Sequence, residues 1–173
     1  GNMQSSMANG WKLNSSTNIS ISSSVGSFIS NHNNPFFCLI ISASSSFETS
    51  ESEVDGGGLY AIDSKIMTCK FFFCKANNFG GGAFLSNSVI RDGFFEVCSA
   101  EVGGGSIFAF SSSSEMCFHK ECFSNTYGGA VYLYNSSVNK NTFEKCRAKY
   151  GGGVYSLDYF SYKDLINTMK NQF

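Results

Sequence analysis

Short apolar runs recur along the chain, and each follows a run of glycine. Taking the last two Gly of each run gives Gly57-Gly58, Gly81-Gly82, Gly104-Gly105, Gly128-Gly129 and Gly152-Gly153, spaced by 24, 23, 24 and 24 residues. The runs they open are Leu59 to Ile62, Ala83 to Leu85, Ser106 to Ala109, Ala130 to Leu133 and Val154 to Leu157. Aligned on these pairs, the second position is always large and apolar: Tyr60, Phe84, Ile107, Val131 and Tyr155. The fourth is mostly apolar as well. Alternation of this kind predicts strands with positions two and four facing inward and positions three and five outward.

A second marker keeps the same clock. Cys74, Cys98, Cys122 and Cys146 are each 24 residues apart. Phe71, Phe95 and Phe143 stand three residues before their Cys, and His119 takes that slot in the coil where Phe118 comes one residue early. One period further back, Phe47 and Ser50 keep the spacing with Ser in place of Cys. A leucine-rich repeat of similar length would carry Leu and Asn at fixed places, and helical repeats are longer. Three short strands and three turns fit 24 residues as one coil of a right-handed parallel β-helix, in which equivalent positions stack ~4.8 Å apart. The expected architecture is all-β, with about six coils at that ~4.8 Å spacing.

The ends depart from the pattern. Residues 1–32 predict an irregular N-terminal coil or cap, 33–157 the β-helix, and 158–173 a capping segment. Tyr162, Leu165, Ile166, Met169 and Phe173 fall on a helical stripe, so a C-terminal capping helix is expected. The run Phe36 to Ile41 sits one period before Leu59 and predicts a buried strand of an early coil.

Composition sharpens this picture. The 173 residues include 18 Gly, 18 Phe, 30 Ser and one Pro, and only 14% are charged. Collagen is excluded because Gly comes in runs rather than at every third position. A net charge of −1 without clustered Lys or Arg argues against nucleic acid as a partner. No apolar stretch is long enough for a membrane span. Gly1 to Gly10 has neither a basic stretch nor an apolar core and is not expected to be a signal peptide. Sequons at Asn14, Asn18 and Asn135 favour an extracellular life.

Gly128-Gly129-Ala130-Val131-Tyr132 followed by Phe143-Glu144-Lys145-Cys146 resembles the repeats of the polymorphic outer-membrane proteins (Pmp). Gly81-Gly82-Ala83-Phe84 with Phe95-Glu96-Val97-Cys98 is a second match, and the resemblance spans about residues 47–157. That family repeats Gly-Gly-Ala-Ile and Phe-x-x-Asn motifs. The resemblance implies a right-handed parallel β-helix displayed on cell surfaces as a passenger or adhesin. Cys stands here where the family often has Asn, and the resemblance does not extend to the C-terminal membrane barrel of the bacterial members.

Stacked Cys residues come within the Cα separation that a disulfide allows, but free Cys is also among the most buried residue types. The Cys74, Cys98, Cys122 and Cys146 column and the Phe71, Phe95 and Phe143 column are therefore expected to be structural ladders, and the ten Gly named above structural turns. Cys69 and Cys117 lie two coils apart with Gly93 between them. Cys117, His119 and Cys122 form the nearest approach to a zinc cluster but have no fourth ligand, so neither metal nor cofactor is expected. Catalysis by a β-helix lyase or hydrolase needs clustered carboxylates. Asp63 and Asp158 share a column four coils apart, and Glu96 and Glu144 share another two coils apart. No enzyme is expected, with a polysaccharide lyase or glycoside hydrolase as the catalytic alternative. Phe110 and Tyr134 face outward on adjacent coils, and with Tyr132 and Phe108 they offer an aromatic patch for carbohydrate or protein contact. The expected function is a non-catalytic surface or extracellular recognition or adhesion module. The rival is an intracellular structural component that binds neighbouring subunits of a filament or cytoskeletal assembly.

Overall fold

The computed structural model describes residues 11–13, 22–23, 28–30, 39–41 and 46–157, with side chains over 46–157. The chain is an all-β, right-handed parallel solenoid of about five turns with a period of about 24 residues. Among the described residues the three coils from Leu59 to Ser124 have four short strands each rather than the expected three, and the next has three strands and a single bridge at Arg147. In one complete coil these are Leu59–Ile62, Ser64–Met67, Lys70–Phe72 and Lys75–Ala76. Each stacks in parallel on its equivalent in the next coil, which builds four sheets.

The first sheet orders Trp11–Leu13, Phe28–Ser30, Leu59–Ile62, Ala83–Ser86, Ile107–Phe110, Val131–Tyr134 and Val154–Leu157. The N-terminal strands belong to the same stack at irregular spacing, with Phe28 paired to Leu59 and Trp11 to Phe28. Leu39–Ile41 pairs with Ser64, Lys65 and Ile66. That stretch therefore lies in the second sheet and not in the slot before Leu59. Phe36 to Cys38 and the expected C-terminal helix lie outside the described residues.

A strand-to-strand bend of one residue needs a backbone that reverses curvature, and the left-handed region supplies it. Thirteen non-glycine residues have φ between 47° and 56°, and they fall into three columns. The first is Asp63, Asn87, Ser111 and Asn135. The second is Thr68, Asp92, Met116 and Lys140. The third is Thr49, Phe73, Val97, Glu121 and Lys145. Such conformations cost L-residues roughly 1–2 kcal/mol each. The cost is offset because the corner N–H groups stay in the ladder: Asp63 N donates to Ser86 O at 3.0 Å, Thr68 N to Arg91 O at 2.9 Å and Phe73 N to Glu96 O at 3.0 Å.

The fourth corner is glycine, with φ between 59° and 68° at Gly56, Gly80, Gly104, Gly128 and Gly151. The next glycine serves a different need. A Cβ on Gly81 would overlap the carbonyl oxygens of Ser99 and Gly105, so only Gly lets the backbones pass there. The turning pairs are therefore Gly56-Gly57, Gly80-Gly81, Gly104-Gly105, Gly128-Gly129 and Gly151-Gly152. In the three coils where a third Gly follows, this is one residue earlier than the sequence alignment placed them.

That one-residue shift reverses a face. Leu59, Ala61, Ala83, Leu85, Ile107, Ala109, Val131, Leu133 and Val154 point inward and are buried. Tyr60, Phe84 and Tyr155, which the alignment had grouped with Ile107 and Val131, stack with Phe108 and Tyr132 instead, on the outside. Phe71 and Phe95 fill the core from the third sheet, fully buried. Their column runs Phe47, Phe71, Phe95, His119, Phe143, with centroid spacings of 4.8, 4.5, 5.0 and 4.9 Å.

Candidate functional site

The first sheet carries three outward columns. The middle one is Tyr60, Phe84, Phe108, Tyr132 and Tyr155. Beyond its last residue runs Ile62, Ser86, Phe110, Tyr134 and Leu157. On the glycine side runs Phe79, Gly103, Tyr127 and Tyr150. None of these positions is charged. Phe110, Tyr134, Tyr150 and Leu157 are exposed, at 37% to 46%. Together these columns make a largely apolar outer face.

Phe110, Tyr132 and Tyr134 all lie on this wall. Phe110 and Tyr134 stack at 5.3 Å and 9°. Tyr60 and Phe84 stack at 4.5 Å and 2°, and Phe84 and Phe108 at 4.9 Å and 20°. Tyr132 breaks the stack, standing 80° to Phe108 and 86° to Tyr155. Gly103 explains the break: a Cβ there would collide with the Tyr132 ring at 2.5 Å, so the ring has swung into the space that the glycine leaves.

The other walls differ. On the third wall Glu96, Lys120 and Glu144 stack in one outward column, with Lys120 Nζ 2.8 Å from Glu96 Oε1. The Glu96 and Glu144 column therefore has a cation between its carboxylates. On the second wall Arg91 pairs with Glu115. On the fourth, Asn125 Nδ2 donates to Glu101, and Lys75 Nζ lies 3.7 Å from Glu101 Oε1. Asp63 stacks with Asn87, Ser111 and Asn135 at a corner; Asp158 lies outside the described residues. Along these ladders each carboxylate meets a cation or an amide, which avoids like charges directly opposite.

The cysteine column lies just after the third corner. Cys74, Cys98 and Cys122 are buried, Cys146 is half-buried, and all six described cysteines are free thiols. Each thiol is placed between two carbonyls. Cys98 Sγ donates to Phe71 O at 3.4 Å and Glu96 O at 3.7 Å, and Cys122 Sγ to Phe95 O at 3.7 Å and Lys120 O at 3.3 Å. Burial pushes the Cys69 thiol up to about 12 and raises Cys98 and Cys117, while at Cys122 burial is outweighed by hydrogen bonds from the neighbouring thiols of Cys146 and Cys98, which lower it.

Serine performs the same task at the first corner. Ser64, Ser88 and Ser112 donate to the carbonyls of Ile62, Ser86 and Phe110 at 2.7 to 2.8 Å. Their neighbours' backbone N–H groups donate back, as in Ser64 N to Ser88 Oγ at 3.0 Å. Sequence reasoning missed this ladder. Its signal, Ser64, Ser88, Ser112 and Ser136 at intervals of 24, was present but submerged among 30 Ser.

His119 lies buried between Phe95 and Phe143, and its Nδ1 has no hydrogen-bond partner. Burial pushes its pKa down to about 4, so the ring is neutral. Cys117 follows Gly93 in a column whose next member, Asn141, accepts from Cys117 N at 3.0 Å. Among the described residues no three of His, Cys, Asp and Glu are grouped to hold a metal ion, and no helix is long and apolar enough to cross a membrane. Compared with known proteins, the chain matches no family model, no curated protein sequence and no solved structure.

Proposed function

We propose that this chain is a non-catalytic recognition or adhesion module that works at a cell surface or outside the cell, in the manner that its Pmp-like repeats imply. The observation that carries the reading is the charge-free outer wall of the first sheet between Tyr60 and Leu157, whose middle column, Tyr60, Phe84, Phe108, Tyr132 and Tyr155, is aromatic throughout. Tyrosine and phenylalanine anchors on a rigid sheet lose little side-chain entropy on binding, which suits them to contact surfaces. The pairing of carboxylates with cations and amides supports the non-catalytic reading, because acid–base work needs carboxylates placed together.

The test is adhesion of the purified, fluorescently labelled chain to intact cells, compared with a Tyr132→Lys, Tyr134→Lys double variant. Both positions are outward, so the fold is retained, and circular dichroism checks it. Adhesion is expected to drop more than tenfold. A folded variant that adheres like the parent chain removes the first wall as the contact surface.

A second reading, an intracellular structural component, is favoured by one observation. All six described cysteines are free thiols, as in a reducing compartment. Thiol counting on native protein and glycan mapping at the exposed Asn135 separate the two. Fully reduced thiols with an unmodified Asn135 favour the intracellular reading, and a glycan on Asn135 favours the extracellular one.

A further inference from the structure

We propose that the break in the outer wall at Ser86 is a binding site for a neutral hexose, as a terminal or branching unit of a glycan. This rests on the first wall being the recognition surface, and it names the ligand class for one place on it. The column Ile62, Ser86, Phe110, Tyr134, Leu157 is large and apolar everywhere except at Ser86. Ile62 and Phe110 are two strand spacings apart, ~9.6 Å. With only a serine between them, the column has a notch between Ile62 and Phe110 in which a pyranose ring can lie flat against the Phe110 face.

The walls of the notch suit a sugar. Phe110 stacks on Tyr134 at 9°, so its ring plane lies across the solenoid axis. One ring face is covered by Tyr134, and the other looks over Ser86. The ring is 43% exposed. The C–H groups on one side of a hexose are apolar and pack on such a ring face. The hydroxyls at the edge of the sugar then point at the first corner, where Asp63 and Asn87 directly follow Ile62 and Ser86.

Those two side chains are already aligned. Asn87 Nδ2 donates to Asp63 Oδ1 at 2.6 Å, an arrangement fixed by the two stacked corners. Asp63 Oδ2 and Asn87 Oδ1 remain to accept from hydroxyls, and the second Nδ2 hydrogen remains to donate. A carboxylate beside an amide matches a pair of neighbouring hydroxyls, each of which both donates and accepts. An aromatic wall with a few placed polar groups is the usual make-up of a small-molecule site.

Charge selects the class. Between Tyr60 and Leu157 the outward columns of the first wall hold no Lys or Arg, and the charge that directly follows the notch column is Asp63, with Lys65 two residues further on at the start of the second wall. Sulfated, phosphorylated or uronic-acid sugars would meet the Asp63 carboxylate at the edge of the notch, so the site takes neutral sugars.

The test is a titration of isotope-labelled protein with the methyl glycosides of galactose, glucose and mannose, with methyl glucuronide as the anionic control, read by chemical-shift changes. Expected are saturable shifts at Ser86, the Asn87 side-chain amide and the Phe110 ring for at least one neutral hexoside, with a dissociation constant on the order of 10 mM or tighter. The glucuronide should bind at least tenfold more weakly. Ser86→Tyr, which fills the notch and continues the outer stack, should weaken hexoside binding more than tenfold. Unchanged hexoside binding in Ser86→Tyr, or no hexoside response in the parent chain, overturns the site. Adhesion that is lost in the Tyr132→Lys, Tyr134→Lys variant, kept in Ser86→Tyr and abolished by protease treatment of the cells also overturns it. In that case the wall binds a protein, while the first-wall reading stands.

Discussion

Two aromatic ladders climb this solenoid with the same spacing and opposite fates. The inner one, Phe47, Phe71, Phe95, His119 and Phe143, stays nearly coplanar, with ring tilts of 3° to 11°. The outer one, Tyr60, Phe84, Phe108, Tyr132 and Tyr155, begins as a stack and turns almost perpendicular at Tyr132. Residue type and strand spacing are shared, so neither causes the difference. Enclosure does. Inside, ring edges are held by Ile66, Ile90 and the cysteine column, which leaves one orientation. Outside, a ring meets its ladder neighbours and the Phe79 or Tyr127 ring of the adjoining column, and it turns where a glycine such as Gly103 leaves room. The inner ladder therefore sets stability, and the outer one is less constrained in ring orientation.

The comparison breaks if truncation costs the same on both sides. Phe95→Ala should destabilise by about 3–5 kcal/mol, as for other fully buried aromatics, measured by urea denaturation. Next in size is the pH dependence of the inner ladder at its one imidazole. His119 titrates near 6.5 when unfolded and is pushed down to about 4 when folded, so between those values the unfolded chain binds more protons. Stability is complete above pH 6.5 and falls as pH drops towards 4, by about 3 kcal/mol at one factor of ten per pH unit. Denaturant melts across that range should show the fall. The groups facing His119 are Cys122 and Asn141. His119→Phe restores an all-phenylalanine column and removes the unpartnered Nδ1. It should abolish the fall and raise stability near neutral pH; an unchanged slope would place the titration elsewhere.

On the outer ladder, Phe84→Ala should cost only about 1 kcal/mol or less, the worth of a cross-strand aromatic pair. A loss as large as that of Phe95→Ala would show the outer wall to be structural. The smallest effect is expected at the cysteine corner. Cys98→Ser places at the third corner the residue already used at the first, where Ser88 Oγ bonds to Ser86 O at 2.8 Å. Its cost should stay within about 1 kcal/mol, the usual net worth of one hydrogen bond, measured by thermal melting against a loss of several degrees for Phe95→Ala.

Much of this was legible in the chain. Two independent markers, the glycine runs and Phe-x-x-Cys, gave the period and hence the stacked coil. Cys74, Cys98 and Phe95 were placed inside for the right reason. The fourth strand of each coil was hidden because Lys75–Ala76 and its equivalents are two residues long, too short to show alternation. The corners were hidden because residues as unlike as Asp63, Val97 and Met116 adopt the same left-handed turn, with no shared side-chain chemistry to betray it. The serine ladder was lost in a background of serine.

The sequence by itself determined the class and the clock. A 24-residue recurrence of glycine, phenylalanine and cysteine admits little besides a solenoid, because equivalent positions must stack to bury their apolar faces. What only the tertiary structure decided was which aromatics face out. Runs of three glycines such as Gly56 to Gly58 and Gly103 to Gly105 leave the turn ambiguous by one residue, and in a strand one residue exchanges inside for outside. The choice is made where glycine alone can take a left-handed turn and its follower must pass against the carbonyl of the next coil. That contact exists only once the coils are stacked.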